Sequence, residues 1–599
     1  MTRVLIALCT LMFATAGHAI ADEKIPLKVL YAGKLDDPRT EDYRVFLAAH
    51  FQSVTIRDYL TLKLEDAREC DVVLLDWPDG PPRDMATGRF LIPRLGPDYS
   101  KPTILIGGGA LGTAREFKLK IKDFCVCLAD MAHGIDVSHE IFHKPFPVDL
   151  KLEERPTPER YLHGPCTDHL GPTMAMWRVQ TNGWTLDSPS DTKSFPGMVA
   201  DPYGLTDSPD GEYIAAGLNL KSHDAVAIGR HGNFLLWGFH AAPRDLTPEA
   251  RKCFLNAICY IRKFDGQKPV VHANGRAREW ALEYAYNFKI VSSEATDQTF
   301  APPSIRDDPA KLKEYHRQHV ESYQRGFSQR VQRLLGDDPD KYIAYYKANL
   351  EYLYRPADPR PRWEVDDEVK GLGISNRSIL LLDRCVQLLE RGDPGGLGAR
   401  ILARYTNEHF TDAKGWRGWL ESSRSRIFSS DVGGYKFMVA PEGMVGAAAR
   451  IDPIRALLDD PSKEKGPVLG EARFSESRLS PSAEVDLVIT LKVAERWHIL
   501  ALDPSGRSSR ATVVDLTLPK GLETAGDWRA PEPARGLDGQ PILEGDVVFR
   551  RKIRVAKDAP PGTLQVDCSA RILACDPFHC RPRETITLHA HGQVANALR

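Results

Sequence analysis

Apolar positions along the chain change their period twice. From residue 24 to about 290, the short apolar runs LKVLYAG, SVTIRD, DVVLLDW, PTILIGGG, FCVCLAD and NFLLWGFH each end on turn residues, and helical patterns such as Glu41 to His50 and Thr247 to Lys263 lie between them. Strands that are apolar throughout, alternating with helices, predict a parallel sheet covered on both faces, with ligands at the carboxyl ends of its strands. From 291 to 455 the spacing becomes three and four. Leu312, Tyr315, His319, Tyr323, Phe327, Val331 and Leu334 predict one long amphipathic helix, with Arg317, Arg325, Arg330 and Arg333 on its solvated face. Helices from Tyr342 to Leu353, Arg377 to Arg391, Leu397 to Tyr405 and Asp412 to Arg426 follow, with Trp416, Trp419 and Leu420 turned inward and FSSDVGGYKFMV as a strand or hairpin. From 466 to 595 the period is two. Val485, Leu487, Ile489, Leu491 and Val493 alternate with polar residues, and strands around Ala511 to Leu518, Asp546 to Val555 and Thr563 to Leu573 predict a β-sandwich.

A chain of 599 residues exceeds one core, which agrees with this three-part division. Its 79 Lys and Arg balance 81 Asp and Glu, so no basic field exists to hold DNA or RNA. Residues 1–21 read as a secretory signal: Arg3, an apolar run from Val4 to Ala16, and small residues at Ala19 and Ala21. No later stretch reaches 18 uninterrupted apolar residues, so the mature chain is expected to be periplasmic or secreted, without a transmembrane segment.

Of the 11 cysteines, all but Cys9 follow that signal, too few to scaffold the fold. Cys125 and Cys127, alternating along FCVCLAD, are expected to point to opposite faces and not to pair. Cys253 and Cys259 fall on a helix as small apolar groups. Cys575 and Cys580 flank Asp576-Pro577-Phe578-His579, a turn-forming spacer able to bring two sulfurs within bonding reach. His579, Arg581 and Arg583 around them favour a thiolate. On spacing alone, an exchangeable pair and a structural staple both remain open.

The carboxyl-terminal module resembles the amino-terminal, immunoglobulin-like periplasmic domain of the DsbD thiol:disulfide interchange family. The matching segments are VAERWHILALDPSG (493–506), LTLPKGLETAGDWRAPEP (516–533) and APPGTLQVDCSARILACDPFHCRPRETITL (559–588). The resemblance implies that Cys575 and Cys580 are a redox pair exchanging disulfides with a partner protein, either thioredoxin-like or a membrane electron donor. Trp528, in the GDWRAPEP loop, is a candidate aromatic shield over the pair, beside its reading as a core residue. Arg581, Pro582 and Arg583 replace the hydrophobic residue and two prolines usual after the second cysteine, and Cys568 is a competing partner. The family's transmembrane conduit and thioredoxin-like domain are not found here, so electrons are expected from another protein.

The first region resembles the class I glutamine amidotransferase-like, flavodoxin-like fold in its trehalose-utilisation (ThuA-like) branch. VLYAG, DVVLLDW, PTILIGGGALG, HGIDVSHEIFHKPFPV and LLWGFHAAPRDLTPEARKCFLNAICYI bear the likeness. At the nucleophile turn stand Gly107-Gly108-Gly109-Ala110, with no cysteine, and His240 stands where the family's histidine would be. Glutamine hydrolysis is therefore not expected. The glycine amides remain able to cradle an anion or a sugar hydroxyl, or else serve packing alone.

His139-Glu140-Ile141-Phe142-His143 matches the zinc-protease string, but Gly134, Pro145 and Pro147 leave no room for the helix that chemistry needs, so a surface loop is expected. His163, Cys166 and His169 lie in a Gly- and Pro-bounded loop lacking a fourth ligand. No cofactor or metal is implied. The expectation is an exported protein of four segments: a signal (1–21), a catalytically degenerate amidotransferase-like domain (24–290) for binding or assembly, a helical domain (291–455), and a dithiol module (466–595). A non-enzymatic binding protein with a permanent disulfide is the alternative.

Overall fold

The computed structural model describes residues 24–163, 170–181, 195–297, 301–356, 362–444, 467–494, 497–502, 511–535, 540–575 and 584–595. The expected signal peptide, the Cys166 and His169 loop, and Cys580 with its basic neighbours lie outside them.

The first region is built on an eleven-stranded sheet. Five strands, β1 (Ile25–Gly33), β2 (Phe51–Asp58), β3 (Val72–Leu75), β4 (Thr103–Ile106) and β11 (Phe234–Trp237), pair in parallel in the order β2-β1-β3-β4-β11. The apolar runs predicted these strands, and β3, β4 and β11 are buried at every position. The connecting helices begin where polar caps and proline allow. Asp37 accepts the amide of Arg39 ahead of Pro38 in α1 (Pro38–His50), and Thr247 accepts that of Ala250 ahead of Pro248 in α4 (Pro248–Ile261). Tyr43 and Leu47 of α1 and Phe254 and Ile258 of α4 fill one core. Ala67 of α2 (Leu64–Arg68) and Leu111 and Ala114 of α3 (Leu111–Glu116) fill another.

The other half of the sheet is antiparallel, which a wholly parallel reading does not anticipate. It comprises β5 (Asp123–His133), β6 (Leu152–Pro156), β7 (Thr173–Arg178), β8 (Gly197–Ala200), β9 (Gly211–Asn219) and β10 (Val226–His231). β10 joins the halves by pairing antiparallel with β11.

Cys125 and Cys127 are disulfide-bonded, with α-carbons 5.4 Å apart, which corrects the expectation that they face apart. Residues two apart on a strand share a face. Both cysteines accordingly belong to one core, whereas Val126 packs into the other. Register shifts against β8 fall on both sides of Cys125 and bring the α-carbons closer than two regular strand steps, about 6.6 Å.

The expected long helix is two, Pro309–Gln324 and Gln329–Leu335. Ser328 caps the second through the amide of Val331, and Gly326 lies so close to Tyr284 that any Cβ would strike its ring. The remaining helices match their apolar patterns: Pro339–Asn349, Ile379–Glu390, Leu397–Tyr405 and Ala413–Ser423. Trp416 and Leu420 are buried and Trp419 packs against the same core. The predicted hairpin is β14 (Ile427–Ser430) with β15 (Lys436–Val439), following the two-residue strands β12 (Leu353–Tyr354) and β13 (Glu364–Val365). Helix α5 (Glu279–Val291) packs through Leu282, Ala285 and Phe288 on Phe327 and Tyr342 of this helical region.

Beyond residue 467, two four-stranded sheets enclose one core in a sandwich-like arrangement: β16 (Val468–Phe474), β18 (Glu484–Val493), β24 (Asp546–Val555) and β21 (Leu522–Thr524) in that order, and β17 (Arg478–Leu479), β27 (Glu584–Val594), β25 (Gly562–Ile572) and β20 (Val513–Thr517). In β18 (Glu484–Val493), Val485, Leu487, Ile489, Leu491 and Val493 are all buried, as the alternation predicts. β24 (Asp546–Val555) and β25 (Gly562–Ile572) fall where expected. A third small sheet is formed by β22 (Ala534–Arg535), β23 (Pro541–Leu543), β19 (His498–Leu500) and β26 (Ala574–Cys575), in that order.

One buried ion pair ties the helical region together. Asp431, in the hairpin turn, accepts Arg278 Nε and Nη2 at 2.7 Å each, while Arg278 Nη1 donates to Asn376 at 2.6 Å and to the Leu350 carbonyl at 3.1 Å. Asp207 of the first region accepts the Asp431 amide at 2.9 Å and the Ser430 hydroxyl at 3.0 Å. Asp431→Ala leaves a buried guanidinium uncompensated and is expected to cost about 3–5 kcal/mol, read as an earlier unfolding transition in urea.

Candidate functional site

Two places draw together residues singled out by the sequence. The first is the glycine turn after β4, at the carboxyl ends of β3, β4 and β11. Gly107 donates its amide to Trp237 O at 2.8 Å, continuing the β4–β11 ladder, then turns with φ +51°, a conformation costly for any residue with a Cβ. A Cβ on Gly107 would lie 2.7 Å from His240 Nδ1, and one on Gly109 would lie 2.4 Å from the Trp77 amide nitrogen. The packing therefore requires glycine at both. His240 and the turn are brought together as expected.

His240 Nε2 lies 2.8 Å from Pro78 O, so the proton sits on Nε2 and the Nδ1 lone pair faces Gly107, buried and without a hydrogen-bond partner among the described residues. Burial, reinforced by the charge of Arg39, pulls the ring down to about 4, so it is neutral at physiological pH. Arg39 is held by Asp76, which accepts its Nε at 2.6 Å and the Tyr31 hydroxyl at 2.6 Å. Phe195 roofs the turn: its ring lies 5.6 Å from that of His240 and abuts Gly80 and Gly108. Val126 closes the side over Gly108. The arrangement holds a neutral base with no hydroxyl or thiol on Gly107 to deprotonate. Phe195, Trp77 and Val126 carry no sequence signal for this role, because each comes from a different stretch of chain.

The second place is Cys575. It is the last residue of β26 (Ala574–Cys575), which pairs antiparallel with β19 (His498–Leu500) in the register His498 to Cys575 and Ile499 to Ala574. Cys575 is disulfide-bonded, 4% exposed, and packed among Leu500, Ile542 and Leu573. Cys568 does not compete for it. That residue is a free thiol on β25, buried, and pushed up to about 11 by burial and the neighbouring Asp567. Trp528 packs against the sandwich core and donates Nε1 to Val514 O at 3.0 Å, in keeping with its core reading.

The zinc-like string forms a single three-residue turn, Glu140–Phe142, rather than the surface loop expected, because Ile141 and Phe142 are buried against α4. Its polar groups are already engaged: His143 Nε2 with Val137 O at 2.8 Å, His139 Nε2 at 3.7 Å from Glu212, and Glu140 with Lys263. Among the described residues, no group of three or more His, Cys, Asp or Glu is arranged to hold a metal ion. No helix among them is long and apolar enough to cross a membrane.

No protein-family model and no curated protein matches the chain. Among solved structures, 22% of the chain is similar to the N-terminal domain of Neisseria meningitidis DsbD in its reduced form, at 9% identity over 95% of that chain with a TM-score of 0.15. A stretch of 22% is similar to the N-terminal periplasmic domain of ScsB from Proteus mirabilis, at 16% identity over 48% of that chain with a TM-score of 0.16. A stretch of 40% is similar to a GMP synthase-type protein from Thermoplasma acidophilum, at 12% identity over 96% of that chain with a TM-score of 0.23. These likenesses are too distant to assign a family or an activity.

His240 makes stability depend on pH. Its folded value, about 4, lies below the ordinary 6.5, so the unfolded chain takes up the proton first as pH falls. Stability present above 6.5 is thus lost on acidification toward 4. Burial pushes Asp201 up to about 6 and Glu283 to about 7, which acts in the opposite direction, so a variant isolates the histidine. Between pH 7 and 5, His240→Gln is expected to lose about 2 kcal/mol less unfolding free energy than the parent chain, measured by urea denaturation at both pH values.

Proposed function

We propose that this chain is an exported thiol–disulfide exchange protein whose working disulfide joins Cys575 to Cys580. One observation carries the reading: Cys575 is disulfide-bonded at the end of β26, while Cys568, the nearest preceding cysteine in sequence, is a free thiol. The Asp-Pro turn between Cys575 and Cys580 supports their pairing, and His579, Arg581 and Arg583 supply the positive charge that favours a thiolate. The sandwich-like sheets are read as an immunoglobulin-like module over 466–595, and the resemblance to the DsbD interchange family supplies the exchange role. In this reading the burial of Cys575 makes it the resolving sulfur. The reduced Cys580 thiolate attacks the partner's disulfide, and Cys575 then displaces the partner and restores the internal bond. The partner is a thioredoxin-like protein or a membrane electron donor.

The first region, 24–290, is read as a flavodoxin-like, amidotransferase-like domain that has lost its nucleophile at Gly107. It serves binding or assembly, with a sugar or another small molecule as ligand, and the helical segment 291–455 is its scaffold. A second reading has its own support. The apolar packing of Cys575 on Leu500, Ile542 and Leu573 suits a permanent staple in a binding protein.

The two readings separate in a trapping experiment. Cys575→Ser is expected to accumulate a covalent, reductant-sensitive complex with its partner in a periplasmic extract, whereas Cys580→Ser, which keeps only the buried sulfur, accumulates none. If both variants lose the fold of the module and neither traps a protein, the pair is a staple.

A further inference from the structure

We propose that Cys125–Cys127 is a second redox-active disulfide, an acceptor of two electrons from a protein dithiol, set in the wall of the glycine turn. The inference is independent of the role of Cys575.

Three observations carry it. First, the bond closes a ring across a sequence separation of only two. Cross-links restrict the unfolded chain more the longer the loop they close, so this one adds little restraint. Cys125 is already paired with Val199 of β8, and Leu128, next to Cys127, with Gly197 of β8 and Asn219 of β9. A staple is redundant here. Second, the two cysteines differ in exposure. Cys127 is 3% exposed, whereas Cys125 is only partly buried at the margin of its core, so an incoming thiolate meets Cys125. Third, the ring sits against the site. Val126, between the two cysteines, projects to the other face of the sheet and closes over Gly108, beside Phe195 and His240. The register shifts around Cys125 accompany the bridged form. Opening the ring frees β5 to resume regular alternation and so moves Val126 against the glycine turn.

The exchange balances without any further reactant. A thiolate of the donor attacks Cys125 Sγ, forming a mixed disulfide and releasing Cys127 as thiolate. The donor's second thiol then attacks its own sulfur in that bond, releasing Cys125. The donor ends as a disulfide, having given two electrons, and its two protons reside on Cys125 and Cys127.

The whole chain, kept folded, is treated with dithiothreitol, quenched with iodoacetamide and digested, and the mass of the peptide carrying Cys125 and Cys127 is measured. The expected result is a gain of two alkyl groups while circular dichroism is unchanged, with loss of both when the dithiol is removed and the protein is returned to oxidised glutathione before alkylation. Cys575 falls on another peptide, so either disulfide is read without the other. The paired substitutions Cys125→Ser and Cys127→Ser are expected to give a chain that melts at the parent temperature. The proposal is overturned if the bond resists the dithiol until the protein unfolds, if the untreated protein already carries two alkyl groups there, or if the double variant fails to fold.

Discussion

The position of one sulfur rests on a two-residue strand. Ala574 and Cys575 pair with Ile499 and His498, and this short ladder, together with packing on Leu500, Ile542 and Leu573, fixes the Cys575 side of the disulfide in an apolar setting. Disulfide exchange requires a thiolate to approach one sulfur in line with the bond. A sulfur held this way is poorly placed to receive it. The chemistry proposed for the module therefore passes through the other sulfur, and Cys575 acts by returning to close the bond.

The same logic of access governs the α/β region. His240 turns an unprotonated Nδ1 toward Gly107, but Gly107, at φ +51°, has neither a side chain to activate nor room for one. Phe195 and Val126 close the turn from above and from the side. What remains there is a neutral imidazole closed in by apolar side chains, with no hydroxyl or thiol on Gly107 beside it. The buried pair of Arg278 and Asp431, reached by Asp207, couples that region to the helices.

Much of this was legible in the residue pattern because burial enforces period. The strands VVLL, TILI and FLLW are buried on both faces and read as continuous apolar runs, while β18 alternates because one face meets solvent. The meeting of His240 with the glycine turn, and the lack of a cysteine there, were implied by the resemblance to the amidotransferase-like fold and not by the apolar pattern itself. The antiparallel half was not legible, since strands such as Leu152–Pro156, half exposed and charged, carry no apolar run. Nor was the helix break at Gly326 and Ser328, where contact with Tyr284 overrides a continuing apolar stripe. The bond between Cys125 and Cys127 escapes a reading that assigns residues two apart to opposite faces, when strand geometry puts them on the same one. The enclosure by Phe195 and Val126 is a tertiary fact with no local signal.

The central claim is that the disulfide at Cys575 opens and closes under physiological thiol exchange. Its direct test is the reduction potential of that bond in the intact chain, obtained by equilibrating with glutathione buffers of graded poise, and with dithiothreitol buffers for the lowest potentials, and measuring alkylation of the Cys575 peptide by mass. The account predicts a midpoint within the range of exchange proteins, about −270 to −120 mV. A bond that stays oxidised below about −300 mV is a permanent staple and contradicts it.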